Sequence, residues 1–185
     1  MIDSETQTVQ LGDYTFSEYL SASKIQTRVE ELGALINKDY TSDEPPIVMA
    51  LLNGAFVFAA DLCRQFDFEC QMQLLRVSSY EGMESTGKVK IDHSAEPDMQ
   101  GRHVIIIEDI VDTGNTLAAY LPTLAEKGAK SVKVCSLLMK PKALQHDLSI
   151  DYVGFEIPNE FVIGYGLDYN GRGRNLASIY SIVSD

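Results

Sequence analysis

Val104-Ile-Ile-Ile-Glu-Asp-Ile-Val-Asp-Thr-Gly-Asn-Thr116 runs from a β-branched apolar stretch into paired carboxylates, then a tight turn, then the start of a helix. Val104 to Ile107 fits a strand covered on both faces, and the strand is expected to stop at Glu108 and Asp109. Neighbouring strand side chains point to opposite faces, so the acid pair should grip opposite sides of the strand end. A divalent cation or ligand hydroxyls could neutralise it there. A third acid, Asp112, follows three residues later. Thr113, Gly114, Asn115 and Thr116 then offer hydroxyls, small side chains and free backbone N–H groups just before Leu117-Ala-Ala-Tyr-Leu121, which reads as the first turns of a helix. Such a turn cradles phosphate.

Neither G-x-x-x-x-G-K-[ST] nor G-x-G-x-x-G occurs near a strand, which sets this turn apart from the usual nucleotide loops and points to a phosphate monoester. The plainer account is a strand-to-helix loop in which Asp112 and Thr113 cap a helix starting at Asn115 or Thr116. The acid pair in front counts against it, because adjacent carboxylates at a strand end are costly without a partner.

Outward from this stretch, Ile25, Val29, Leu32 and Ile36 recur at helical spacing within Ser21 to Asp39, an amphipathic helix. Ser42 to Pro46 is a loop, Ile47 to Leu52 a short buried strand, Asn53-Gly54 a turn, and Ala55 to Phe66 a helix. Gln71 to Tyr80, Val132 to Leu138 and Tyr152 to Phe155 supply further strands. Strands separated by helix-length segments predict an α/β fold with a mostly parallel sheet flanked by helices. Residues 1–20 are expected to pack on the surface, and the apolar-poor stretch from Glu81 to Arg102 is a candidate mobile loop. In open α/β sheets ligands bind beyond the carboxyl ends of the strands. Leu52-Asn-Gly54, Glu108 to Thr116 and Met139-Lys-Pro141 all fall there.

The hydrophobic strand, Glu-Asp, two aliphatics and Asp-Thr-Gly-x-Thr together resemble the phosphoribosyl diphosphate motif of type I phosphoribosyltransferases. Across nearly the whole chain, the order of segments looks like the hypoxanthine-guanine phosphoribosyltransferase family, which transfers ribose 5-phosphate from phosphoribosyl diphosphate to a 6-oxopurine. The resemblance implies the type I fold over residues 1–185 as one domain, with a small hood subdomain built from N- and C-terminal segments. It implies that Glu108 and Asp109 lie against the ribose hydroxyls and a Mg²⁺ shell, that Asp112 is the general base, and that Thr113, Gly114, Asn115 and Thr116 hold the 5′-phosphate. Asn115 would contribute mainly its backbone. A carboxylate at Asp112 could take the N7 proton as N9 becomes nucleophilic, provided that it is near enough and buried enough to be basic.

By the same resemblance Lys140 donates to the exocyclic oxygen of the purine. A lone Lys before Pro is ordinarily solvated surface, but a cation at O6 would select a 6-oxopurine over adenine, whose amino group is itself a donor. Phe161 would stack on the base, although core packing suits a lone Phe equally well. Val162 would touch the edge of the base through its backbone, and Asp168 would serve a second Mg²⁺ and the C2 end. Arg174 matches a position that contacts pyrophosphate, with Arg172 a surface residue beside it. Ser79-Tyr80 opens a segment, through Thr86-Gly87-Lys88, resembling the flexible loop that closes over the site. Leu52, Asn53 and Gly54 stand in the loop that accepts pyrophosphate, and Asn53 departs from the family, where many members carry Lys. A loop binding through backbone N–H groups, presented by a non-proline cis peptide at Leu52-Asn53, would tolerate the change.

The chain has 185 residues and 45% hydrophobic content, enough for one domain with a sizeable core. With 15 Lys and Arg against 27 Asp and Glu, the net charge of −12 argues against a nucleic-acid surface. An acidic protein binding a phosphorylated anion must rely on backbone amides, Mg²⁺ and a few placed cations. No apolar run approaches the roughly 20 residues of a membrane span, and the polar, acidic N-terminus does not read as a targeting signal, so a cytoplasmic location is expected. Cys63, Cys70 and Cys135 lack C-x-x-C spacing and are expected to be buried free thiols. The resemblance suggests a homodimer or homotetramer, although no exposed apolar stripe is legible. Within the enzyme class, xanthine or pyrimidine transfer is the near rival. Outside it stands a regulatory sensor of the same fold that binds nucleic acid, for which no basic face is visible.

Overall fold

The computed structural model describes residues 7–79, 89–92 and 96–183. Thr8–Leu11 (β1) and Tyr14–Leu20 (β2) form an antiparallel hairpin, so residues 8–20 are paired strands and not a surface strap. Ala22–Ile36 (α1) follows, capped at Ser21, whose hydroxyl accepts from the Lys24 N–H, and it buries Ile25, Val29, Leu32 and Ile36 as their spacing requires. Then come Ile47–Leu52 (β3), Phe56–Cys63 (α2), Gln71–Ser79 (β4), Val89–Ile91 (β5) and His103–Val111 (β6). Asn115–Glu126 (α3), Ser131–Met139 (β7), Tyr152–Glu156 (β8), Val162–Ile163 (β9) and Ile179–Ile182 (β10) complete the series.

The main sheet runs β5-β4-β3-β6-β7-β8, parallel except where β5 pairs antiparallel with β4. Alternation along β3 and β6 sorts their side chains between two cores. Val48, Ala50, Ile105 and Ile107 meet α1 and α2 through Ile25, Phe58 and Leu62. Ile47, Met49, Val104 and Ile106 meet α3 through Leu117, Tyr120 and Leu124. These strand residues are fully buried, and truncating one such as Ile106 to Ala would cost roughly 2–5 kcal/mol. The two covered faces explain why β6 reads as a continuous apolar run.

A second, antiparallel sheet has the order β1-β2-β10-β9 and joins residues 8–20 to residues 162–182. Phe16, Ile163 and Tyr180 form its small core, with Leu11 and Tyr169 packed against them. β1, β9 and β10 are too short to show a period, and β2 is tied into the sheet by β10 from the far end of the chain. Two further expectations are corrected. β6 continues through the acid pair to Val111 instead of stopping at Glu108 and Asp109. Of the three free cysteines only Cys135 is buried, while Cys63 and Cys70 are partly exposed. Of the candidate loop from Glu81 to Arg102, residues 81–88 and 93–95 lie outside the described residues, and Val89–Ile91 is the strand β5. Met72 and Leu74, two residues apart and so on one face of β4, are 40% and 45% exposed, an apolar pair the sequence pattern did not reveal. No helix among the described residues is long and apolar enough to cross a membrane.

Candidate active site

The carboxyl ends of β3, β6 and β7 converge on one loop system. After β6, Asp112 and Thr113 lead to Gly114, whose φ of +80° lies in the left-handed region that favours glycine. Gly114 stands at the N-cap of α3 without a side-chain cap; its carbonyl accepts from the Ala118 N–H, and the Asn115 N–H reaches Thr113 Oγ1 at 3.4 Å. A recess of about 100 Å³ is lined by Glu108, Asp112 and all of Thr113 to Thr116. A second, of about 160 Å³, is lined by Leu52, Gly54, Glu108, Asp109 and Thr116. Glu108 and Thr116 therefore border both, and the first holds the first-turn amides of a twelve-residue helix, an arrangement suited to an anion.

The electrostatics of the acid pair are the opposite of a satisfied core. Burial, and then the neighbouring Asp109 charge, push the Glu108 carboxyl well above the usual carboxylate range. Burial likewise pushes Asp109 up to about 6, with Asp168 adding to the push while Arg174 and two backbone hydrogen bonds oppose it. Both residues border one recess; Glu108 also lines the first, beside the Asp112–Thr116 turn, while the Asp109 carboxyl lies against Gly54.

Leu52 and Asn53 are joined by a cis peptide bond. Beyond it, Gly54 presses on the acid pair: a Cβ there would sit 1.7 Å from Asp109 Oδ2. Gly166 closes from the other side, since a Cβ on it would lie 2.2 Å from the Gly54 carbonyl oxygen. Arg174 belongs to this corner, with one guanidinium nitrogen 2.6 Å from the Gly166 carbonyl and another 2.6 Å from Asp168 Oδ1. The second Asp168 oxygen accepts from the Gly171 N–H at 2.7 Å. Arg172 is exposed, as anticipated.

Lys140 is placed by its own backbone, whose N–H donates to the Val111 carbonyl at 2.9 Å. Its ammonium reaches Asp112 Oδ2 at 2.9 Å, and the Lys140 side chain is 8% exposed against 44% for Asp112. The burial expected of Asp112 thus falls on its cationic partner. Lys140 is not solvated surface. Phe161 and Val162 stand on the second sheet. Phe161 packs obliquely on Phe16 and edge-on to Tyr169 yet remains 46% exposed, and Val162 is buried in β9.

The structure therefore brings together Asp112 to Thr116 with Lys140, and Leu52 to Gly54 with Asp109, Asp168 and Arg174. Ser79 is the last residue of β4, and Tyr80 with the segment through Thr86-Gly87-Lys88 lies outside the described residues. Sequence reasoning missed Gln145 and His146, which touch the Thr113–Asn115 turn. No periodicity marks them, because they lie in a helix-free connection between β7 and β8.

A family model described as the phosphoribosyl transferase domain matches residues 15–170. Among curated relatives, the hypoxanthine phosphoribosyltransferase of Buchnera aphidicola subsp. Schizaphis graminum is 41% identical over 92% of this chain and 97% of its own length. The hypoxanthine-guanine phosphoribosyltransferase of Aquifex aeolicus is 41% identical over 88% and 92%. Among solved structures, a hypoxanthine phosphoribosyltransferase from Staphylococcus aureus superposes with a TM-score of 0.84 at 38% identity, covering 90% of each chain.

Proposed function

The chain belongs to the phosphoribosyl transferase family, and we propose on that premise that it is a purine-salvage enzyme moving the 5-phosphoribosyl group of phosphoribosyl diphosphate onto hypoxanthine or guanine, giving IMP or GMP and pyrophosphate. The observation that carries the reading is the Lys140–Asp112 pair at the edge of the phosphate-sized recess. It supports a role for Lys140 and Asp112 at O6 and N7 of a base bonded to the bound ribose. The named relatives leave no support for a nucleic-acid-binding sensor.

In this reading the 5′-phosphate sits against Thr113, Gly114, Asn115 and Thr116, held by N–H groups and hydroxyls and favoured by the α3 dipole. Glu108 and Asp109 take the ribose hydroxyls. N9 of the base attacks C1′, the bond from C1′ to pyrophosphate breaks, and Asp112 accepts the N7 proton. Lys140, freed from Asp112 as the base enters, donates to O6 and rejects adenine. Phe161 offers its exposed face for stacking, with Val162 and Asp168 toward the C2 end. Arg174 and the N–H groups of Leu52, Asn53 and Gly54 serve pyrophosphate. A loop that acts through its backbone accommodates Asn53.

Among the described residues no three His, Cys, Asp or Glu side chains gather into a ready-made metal cage. That fits Mg²⁺, which is ordinarily held by one or two carboxylates together with substrate phosphates. The hard oxygen donors of Glu108 and Asp109, pushed toward protonation in the free protein, suit it, and Asp168 stands near Asp109 for a second ion. When bound, Mg²⁺ neutralises pyrophosphate and orients it for departure. We place the protein in the cytoplasm, as a single domain whose second sheet forms a hood over the base. It is a homodimer or homotetramer, for which the exposed Met72 and Leu74 offer apolar surface.

The test is a steady-state assay with phosphoribosyl diphosphate, Mg²⁺ and, separately, hypoxanthine, guanine, xanthine, adenine and uracil. Turnover of hypoxanthine or guanine but not adenine, abolished by chelation of Mg²⁺, is expected. Preference for xanthine or uracil, or no turnover with any base, overturns the assignment.

A further inference from the structure

The connection from Pro141 to Ile150 has no part in the chemistry so far, yet it is fastened to the phosphate-binding turn at three points. The Gln145 N–H donates to the Thr113 carbonyl at 3.0 Å. The Leu144 and Leu148 Cδ1 atoms crowd Gly114 so closely that a Cβ there would lie 2.8 and 2.7 Å from them. His146 Nε2 stands 2.6 Å from Asn115 Oδ1.

An amide oxygen only accepts, so Nε2 carries the hydrogen, and this holds whether the imidazole is neutral or charged. With Oδ1 committed to His146, the Asn115 amide is fixed about its own axis and its two Nδ2 hydrogens are turned away from the histidine. Asn115 is the first residue of α3 and lines the recess with Thr113 and Thr116. An unrestrained Asn at a helix start tends to turn on its own backbone and compete for the very N–H groups a phosphate needs.

We propose that His146 is a positioning residue that orients Asn115 so that its side-chain amide, and not only its backbone, donates to the 5′-phosphate. The proposal rests on the reading that this recess receives phosphoribosyl diphosphate. It makes Asn115 a side-chain ligand and gives the β7–β8 connection a share in substrate affinity.

The experiment measures the dissociation constant of phosphoribosyl diphosphate by titration calorimetry in Mg²⁺ for the wild type, His146→Ala, His146→Gln, Asn115→Ala and the double Ala variant. His146→Ala should weaken binding roughly three- to tenfold, the worth of one hydrogen bond to an oriented group. Asn115→Ala should do about the same, and the double variant little more than either alone. His146→Gln, which retains a donor, should recover most of the loss. The KM for hypoxanthine and the urea midpoint should stay unchanged. Additive losses, wild-type affinity in His146→Ala, or an equal rise in the hypoxanthine KM would each overturn the proposal. The calorimetric series reads the coupling even if the wild type turns over no base, an outcome that sinks the proposed reaction alone. A wild type that binds no phosphoribosyl diphosphate sinks both.

Discussion

The two ends of the same parallel strands hold similar side chains in opposite conditions. At the amino end, His103 opens β6 and Ser131 opens β7, and the imidazole joins Ser131 Oγ at 2.7 Å and Glu44 Oε2 at 3.1 Å. Lys130 reaches Glu44 at 2.5 Å, Lys133 reaches Asp39 at 2.8 Å, and the Tyr152 hydroxyl donates to Asp39. Each charge there closes on a nearby partner in partly solvated surroundings. At the carboxyl end Glu108 and the half-buried Asp109 stand side by side at one recess, their carboxyls pushed toward protonation. Exposed ion pairs contribute little to stability, whereas a buried charge without full compensation costs several kcal/mol. A fold that keeps the second kind of arrangement keeps it for something that arrives later, so the balance of partners, not the kind of residue, separates scaffold from site.

The contrast breaks most visibly if Asp112 proves dispensable. Asp112→Asn should lower turnover roughly 10²- to 10⁴-fold, the typical worth of a general base, with phosphoribosyl diphosphate affinity nearly intact; unchanged turnover in a steady-state assay would move it to the scaffold. Lys140→Ala removes a buried donor and should weaken hypoxanthine binding about 10- to 100-fold, from the 1.5–3 kcal/mol of a charged hydrogen bond. Phosphoribosyl diphosphate affinity should change much less, and parallel losses of both ligands in calorimetry would refute the placement.

Protons offer a gentler probe of the acid pair. Asp109 ionises near pH 6 in the fold against an ordinary 3.8, so the folded state holds the proton more tightly than the unfolded chain. The resulting stabilisation is complete below about pH 3.8 and is lost as pH rises through about 6, and Glu108 acts in the same direction. The free protein should therefore melt at a higher temperature at pH 5.5 than at pH 7.5, and saturating Mg²⁺ with phosphoribosyl diphosphate should shrink the gap. A gap of the reverse sign in scanning calorimetry would mean that the pair is compensated after all. The smallest effect is predicted at the opposite end: Glu44→Gln, at an exposed pair, should leave turnover and both KM values at wild-type levels. A clear kinetic defect there would erase the distinction between the ends.

Sequence alone reached the main sheet and the phosphate-binding turn because both are local. An apolar run covered on two faces is visible in Val104 to Ile107, and a tight turn of small and hydroxyl residues before a helix is visible in Thr113 to Thr116. The second sheet was not legible. Thr8–Leu11 and Val162–Ile163 are too short to show a period, and the sheet is completed only where β2 pairs with β10 from the far end of the chain. The extension of β6 past the acid pair was missed for a related reason. Its later residues remain paired to β7, Ile110 opposite Leu138 and Val111 opposite Met139, and that tertiary register overrides the charged interruption. Asp112 and Lys140 could be named from motifs, but not their mutual contact, which depends on the Lys140 backbone bonding to Val111.

The pairing of β2 with β10, which sets Ile182 opposite Phe16, also fixes an order of events on the ribosome. The strands and helix around the phosphate-binding turn are all present once Met139 has emerged, whereas the sheet bearing Phe161 and Val162 cannot close until residue 182 is free. In the proposed function, a growing chain would thus acquire the means to grip a sugar phosphate some forty residues before it could shelter a base, and β10 is the clasp that ends that interval.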